Sequence, residues 1–191
     1  MVAKLLLALA VIVVVLMIVV ATRPAQFHIE RSLTMAAPPG PVFALVNDLH
    51  AWTAWSPWEK LDPRMERTHS GSPAGVGARY AWKSESGKVG QGRMTIERSE
   101  PPSRVGVKLE FIKPFAATNE VTFILAPIPE GTRVTWAMDG HNGFMAKAFA
   151  LVMDMDKLVG SDFERGLGNL KRAVEAAPRP VPSAAGESAT W

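Results

Sequence analysis

The sequence contains no cysteine and a single tyrosine among its 191 residues. The missing cysteine excludes disulfide bonds, thiolate metal sites and a cysteine nucleophile, but it does not indicate a redox compartment. The net charge is only +3, and the lysines and arginines are scattered along the chain. Because nucleic-acid-binding proteins usually concentrate basic residues on one surface, we expect no nucleic-acid partner.

Catalytic and metal-binding patterns are also absent from the sequence. None of the four histidines is followed, three or four positions later, by a residue that could share a metal ion. The glycine-rich segments 71–77 and 87–92 lack the Lys-Ser/Thr pair and the following helix of a phosphate-binding loop, so they predict tight turns. There is no Gly-x-Ser-x-Gly motif. We expect no metal ion and no cofactor.

The chain does contain one long hydrophobic run, which begins at Leu5 and ends at Ala21. With its flanking residues the run approaches the ~20 residues that cross a bilayer. It is either a retained membrane anchor or a signal peptide cleaved after Ala21, whose apolar region would be shorter, about 7–15 residues. We favour the anchor, which predicts a single-pass membrane protein. Basic residues flank both sides, so the orientation stays open.

Alternating apolar and polar residues predict seven β-strands. The first begins at Phe27 and ends at Met35, and Arg31 interrupts its alternation. Glycine- and proline-rich turns separate the other six, which predicts consecutive hairpins. These six strands span residues 65–70, 77–83, 90–100, 104–111, 117–127 and 132–139. The resulting sheet has one apolar face that another element must cover.

A long C-terminal helix over residues 154–177 is the element that can cover this face. Its apolar residues recur every three or four positions and therefore form one stripe. The stripe consists of Met155, Val159, Phe163, Leu167, Leu170 and Val174.

Two shorter helices are predicted over residues 41–49 and from about Phe144. Asn142 is expected to cap the second of these helices. Met145, Phe149 and Val152 are expected to extend the apolar stripe of the C-terminal helix, with a kink near residues 154–156. The proline-, alanine- and serine-rich segment 178–191 predicts a disordered tail.

Several motifs within this order of elements resemble one known superfamily. They are S-L-T-M-A-A-P from Ser32, W-x-x-W-S-P-W from Trp52, G-x-x-x-G-x-G-A from Gly71, G-x-G-x-M from Gly90, G-T-x-V-T-W from Gly131 and D-F-E-x-G-L-x-x-L-K from Asp162. The chain resembles the START-like (SRPBCC) superfamily, and more narrowly bacterial "polyketide cyclase/dehydrase" proteins with an N-terminal hydrophobic segment.

The resemblance implies the α+β helix-grip fold of the birch-pollen allergens over residues 26–177. In this fold a seven-stranded antiparallel sheet wraps around the C-terminal helix and leaves an apolar cavity between them. Residues 1–25 would then be the anchor and linker, residues 178–191 the tail, and the location a bacterial cell membrane.

Aromatic and methionine side chains that face this cavity are the predicted ligand-binding residues, because they fill space adaptably around an apolar ligand. They are Trp52, Trp55, Trp58, Trp82, Met94, Phe111, Phe123, Trp136, Met138, Phe163 and Leu167. The alternative is a fully packed core without a pocket. Gly160 and Gly166, beside the stripe, either allow close helix–sheet approach or leave room for a ligand.

Asp156 is a weak catalytic candidate, because its helical angle places it inside the apolar stripe. It is either a helix cap or arginine partner, or a buried carboxylate with a raised pKa that could transfer a proton. Glu110, Glu120 and Asp139 are expected to point outward, and Glu59 to be solvated.

The leading hypothesis is a membrane-tethered, non-enzymatic binding domain for a lipid or other apolar small molecule. The second is a cyclase/aromatase-like or hydrolytic enzyme that uses the same cavity. The third is a protein-interaction module that binds through the surface of the Trp52–Trp58 segment. The sequence leaves the oligomeric state open.

Overall fold

The computed structural model describes residues 1–87, 89–151 and 153–176. The predicted tail at 178–191 and the predicted stripe residue Val152 lie outside these residues, so both remain expectations. The division of the chain at residues 25 and 177 also stays a prediction.

Seven antiparallel strands form one sheet, as the alternation of the sequence predicts. The strands are β1 (Gln26–Met35), β2 (Glu66–Gly71), β3 (Ala78–Lys83), β4 (Gln91–Glu100), β5 (Arg104–Lys113), β6 (Ala117–Ile128) and β7 (Gly131–His141). Strands β2 to β7 follow one another as hairpin neighbours, whereas β1 pairs with β7 at the other edge. Their order in the sheet is therefore β1-β7-β6-β5-β4-β3-β2.

Five helices accompany the sheet in the described part of the chain. They are α1 (Val2–Thr22), α2 (Pro39–Asn47), α3 (Trp52–Trp55), α4 (Phe144–Phe149) and α5 (Met155–Ala176). Helix α2 has proline in its first turn, where the missing N–H costs no hydrogen bond. Indole N–H groups of α3 donate to carbonyl oxygens of α2: Trp52 to Val46 at 2.9 Å and Trp55 to Leu45 at 3.2 Å.

Helix α5 packs against the concave face of the sheet through the C-terminal part of its apolar stripe. Phe163, Leu167, Leu170 and Val174 are buried there. The Phe163 ring stacks on Trp136 of β7, with ring centroids 4.3 Å apart and planes 8° from parallel. The helix-grip architecture is therefore confirmed.

The start of the predicted stripe differs from the expectation. Met155 is exposed, as are Met145 and Phe149 of α4, so these residues do not continue the buried stripe. The predicted cap is also wrong, because the residue at the N-cap of α4 is Gly143 and no side chain caps this helix. Helices α4 and α5 are separate elements rather than one kinked helix.

Helix α1 is apolar enough and long enough to cross a membrane, with a mean hydropathy of 3.3. It is exposed along its length except at Val20. This isolation from the core is consistent with a hydrocarbon environment.

Candidate functional site

The concave face of the sheet is fully covered at one end of the strands and only partly covered at the other. Where α5 crosses it, Phe123 of β6 and Trp136 of β7 are opposite one another and fully buried. Towards the end of β5 and the start of β6, Leu109 and Phe111 are only partly buried. Helix α5 contacts mainly β1, so the opposite half of this face has less cover.

The closed part is filled by aromatic rings that pack against one another. Trp52 and Trp55 lie 4.7 Å apart, and Phe123 and Trp136 lie 4.9 Å apart, measured between ring centroids. Trp58 is half-buried and places its edge against Trp136 at 5.7 Å. Edge-to-face and offset packing of this kind is typical of a well-packed core.

The open part, which we call the open end, consists of Trp82, Met94, Leu109 and Phe111. Strand register places Met94 opposite Leu109, and the Trp82 and Phe111 rings meet at 5.9 Å. Between these two rings lies Gly92, where a β-carbon would clash with Trp82. All four side chains are half-buried although they belong to the apolar face.

The predicted ligand-binding residues therefore fall into two groups. Seven are buried in the core: Trp52, Trp55, Phe123, Trp136, Met138, Phe163 and Leu167. The packing of these residues supports the packed-core alternative for this region. The other four are Trp58, Trp82, Met94 and Phe111, which are partly exposed and stay candidates.

Gly160 and Gly166 allow close approach of α5 to the sheet. A β-carbon at Gly166 would lie 2.6 Å from the Trp136 ring and 3.1 Å from Pro57. A β-carbon at Gly160 would clash with the Arg31 guanidinium. Neither glycine leaves room for a ligand.

The hypothesis that Asp156 is a buried carboxylate with a raised pKa is wrong. Its side chain is 60% exposed and accepts a hydrogen bond from Arg31 Nη2 at 2.9 Å. This bond from a guanidinium lowers the pKa of Asp156 below its usual value. Arg31 Nε also donates to Glu164 at 3.0 Å. Asp156 is therefore the partner of an arginine, which is the simpler of the two interpretations given above.

A buried polar cluster beside the open end was missed, because Glu59 was expected to be solvated. The Glu59 side chain is only 8% exposed. It accepts hydrogen bonds from the Tyr80 hydroxyl at 2.6 Å and from Arg67 Nε at 2.7 Å. Burial and the neighbouring carboxylate raise the pKa of Tyr80, which keeps the phenol neutral. The alternation of β3 points Tyr80 towards the core, and a buried phenol needs a hydrogen-bond partner. This was the sequence signal that could have revealed the cluster.

Three buried polar side-chain atoms have no hydrogen-bond partner among the described residues. They are His69 Nε2, Asn119 Oδ1 and Trp136 Nε1. Asn119 lies opposite Leu109 of the open end, but its Oδ1 lies over Gly140 of β7 and beside the Phe27 ring of β1. An unpaired buried acceptor of this kind is costly unless a ligand or water donates to it.

A surface pocket of about 480 Å³ lies mainly on the opposite, convex face, near the end of β5. It is lined by Arg93, Glu110, Phe111, Ile112, Ala116, Ala117 and Thr118. Within the described ranges, no group of histidines or carboxylates is arranged to hold a metal ion.

A family model described as "Polyketide cyclase / dehydrase and lipid transport" matches residues 26–175. The chain belongs to this family. Membership in the polyketide cyclase / dehydrase and lipid transport family, together with the helix-grip fold, fits a ligand-binding domain of the SRPBCC type. A comparison with curated proteins gave no significant match.

Solved structures support the same fold at low sequence identity. Protein CV1439 from Chromobacterium violaceum has 17% identity and a TM-score of 0.56, with 81% of this chain and 100% of that one covered. Protein MLL2253 from Mesorhizobium loti has 16% identity and a TM-score of 0.56, covering 80% and 99%. The Aha1 dimer from Colwellia psychrerythraea has 15% identity and a TM-score of 0.56, covering 78% and 97%.

Proposed function

We propose that this chain is a membrane-tethered domain that binds a lipid-like or other apolar small molecule at the open end of its concave sheet face. The observation that carries the proposal is the partial exposure of Trp82, Met94, Leu109 and Phe111 on the face that is otherwise core. A covering ligand would remove this apolar surface from water, which is favourable by about 25 cal/mol for each Å².

The chemistry of the open end favours a ligand with an apolar body. Methionine and aromatic side chains adapt to apolar ligands of variable shape. A fatty acid or another lipid presents such a body. The family description, which includes lipid transport, supports the same class.

Helix α1 supports the tethered form of the proposal. A retained α1 would hold the open end near a bilayer, which is the source of such molecules. The location in a bacterial cell membrane is part of this proposal.

A photoactivatable fatty acid tests the binding site in the full-length chain reconstituted in phospholipid nanodiscs. We expect saturable crosslinking to peptides that contain Met94 or Phe111. Met94→Gln conserves side-chain size but adds an amide, so it should raise the half-saturating probe concentration about tenfold, equivalent to about 1.4 kcal/mol.

Thr95→Gln is the matched control, because Thr95 is the next residue of β4 and points to the opposite face. It should leave crosslinking unchanged. Equal effects of the two substitutions, or labelling confined to α1, would contradict the proposed site.

The two other hypotheses receive less support. The buried Trp52 and Trp55 do not form a surface on which a partner protein could dock. An enzyme that uses Asp156 as a buried acid lacks its required environment, because Asp156 is exposed and paired with Arg31.

A further inference from the structure

The large exposed apolar residues outside α1 concentrate in one region of the described chain. Helix α4 and the segment after it expose Phe144, Met145, Phe149 and Met153, and the loop between β5 and β6 exposes Phe115. We call these five residues the α4 patch. The Phe115 and Phe149 rings meet at 6.2 Å, so the loop and the helix form one surface. Contiguous apolar surfaces of this kind mark interaction sites.

The α4 patch lies beside the C-terminal end of α1. Val20, in the last turn of α1, is only 5% exposed. Lys147 of α4 donates to the carbonyl oxygen of Ala21 at 3.5 Å. The backbone N–H of Asn142 donates to the carbonyl oxygen of Ala25 at 2.6 Å. Helix α4 is therefore anchored to the point where α1 ends.

The dimensions of α1 place this point at the surface of a bilayer. A helix of 21 residues is about 32 Å long, which matches the hydrocarbon thickness of about 30 Å. If α1 spans the membrane, its last turn and the adjacent α4 lie at the level of the lipid headgroups. Amphipathic segments at this depth bury their apolar side chains about 5–10 Å into the interface.

The charges around the α4 patch fit a bilayer that contains anionic lipid. Between residues 142 and 153 the only charged residue is Lys147, and Lys113 and Arg23 flank the neighbouring segments. Asp154 marks the end of the patch. Basic residues near the surface attract anionic headgroups by about 1 kcal/mol each.

We infer that the α4 patch is a second membrane-contact surface, which inserts into the headgroup layer beside α1 and turns the open end towards the bilayer. The open end and the patch share one end of the sheet, because Phe111 lies two residues before the end of β5, and the loop that carries Phe115 follows directly. A lipid can then pass from the membrane to Met94 and Leu109 without crossing water. This part of the inference rests on the proposed function.

The absence of cysteine makes a direct measurement of depth possible in the full-length chain. Single substitutions Phe149→Cys, Phe115→Cys and Val76→Cys would each carry a nitroxide label in nanodiscs of phosphatidylcholine and phosphatidylglycerol. Val76 is the matched control, because its exposure of 57% is close to the 58% of Phe115. It lies in the turn between β2 and β3, at the end of the sheet opposite the α4 patch.

We expect labels at positions 149 and 115 to be accessible to oxygen and protected from a water-soluble nickel relaxant, whereas the label at 76 should show the reverse. Equal nickel accessibility at all three positions would overturn the second contact surface.

A second measurement separates this inference from the proposed binding function. The double variant Phe115→Ser/Phe149→Ser should slow photoactivatable fatty-acid labelling at least fivefold when the probe is in the nanodisc lipid. Labelling from a cyclodextrin complex in solution should be unchanged. Equal slowing by both routes would contradict the passage of lipid from the membrane along the α4 patch. If the unsubstituted chain is labelled by neither route, the binding function is contradicted, but the depth result stands.

Discussion

Gly166 and Gly168 lie in the same helix, but they differ in whether a side chain would fit at their positions. Gly166 leaves space for the Trp136 ring, whereas a β-carbon placed at Gly168 would meet nothing within 4 Å apart from its chain neighbours and the backbone of its own helix. The residue type is the same at both positions, and both lie in α5, so the helix-propensity cost of glycine is similar. Only the contact with β7 distinguishes them.

Gly166→Ala should therefore destabilise the protein, and Gly168→Ala should stabilise it. Overpacking against Trp136 and Pro57 costs about 1–3 kcal/mol, which exceeds the gain of up to about 1 kcal/mol from better helix propensity. Urea unfolding of the detergent-solubilised chain, followed by tryptophan fluorescence, measures both. A stabilising Gly166→Ala would mean that the helix can move away from the sheet at no cost.

Predictability from the sequence was lowest for residues whose partners are distant in the chain. Arg31 interrupts an apolar alternation, and its acidic partners Asp156 and Glu164 lie 125 and 133 residues later. Glu59 has the sequence context of a surface residue, because Tyr80 and Arg67 meet it only after β2 and β3 have paired. No local pattern contains this information.

Pairs of strands are also stabilised by charges on the convex face. Arg93 of β4 lies directly opposite Glu110 of β5, and donates to it through Nε at 2.7 Å and Nη2 at 3.0 Å. This two-point hydrogen bond lowers the pKa of Glu110 to about 2. The folded state thus holds a proton less tightly than the unfolded chain.

The sign of the pH effect follows from this lowered pKa. The stabilisation is complete above the unfolded pKa of about 4.3 and is lost as the pH falls towards the folded value of about 2. Between pH 6 and pH 3 the free energy of unfolding should therefore decrease more for the unsubstituted chain than for Arg93→Gln. Urea unfolding at the two pH values gives this difference. Parallel decreases would show that Glu110 is not coupled to Arg93.

Strand positions were predicted within about two residues, because one buried face imposes strict alternation. Helix α4 was predicted at the right place but with the wrong environment. Its apolar residues Met145 and Phe149 have the spacing of a core helix, yet they are exposed. Periodicity shows that a helix has an apolar face, but it does not show whether protein or lipid covers that face.

The whole molecule combines a helix apolar enough to span a membrane with a sheet that closes on a packed aromatic core. The expected internal cavity was also hard to predict, because aromatic residues such as Phe123 and Trp136 have the same sequence pattern whether they line a cavity or fill it. The difference depends on how closely α5 approaches, which Gly166 controls.

Retention of α1 is a prediction for the whole molecule in bacterial membranes. We expect the chain to stay in the pellet after alkaline carbonate extraction, and its intact mass to include residues 1–22. Val13→Arg, which places a charge in the middle of α1 at a cost of about 2.5–3.5 kcal/mol, should release part of the chain. Thr22→Arg, at the helix end, is the control that should not. A soluble species that begins after Ala21 would identify α1 as a cleaved signal.

The pairing of β1 with β7 has a consequence for synthesis. His28 reaches its neighbour Asp139 only after a further 111 residues have been made. Strand β1, which follows α1 in the chain, is thus the first strand to leave the ribosome and the last to find a partner. If α1 inserts early, each new molecule waits at the bilayer surface with an unpaired leading strand until β7 has been made.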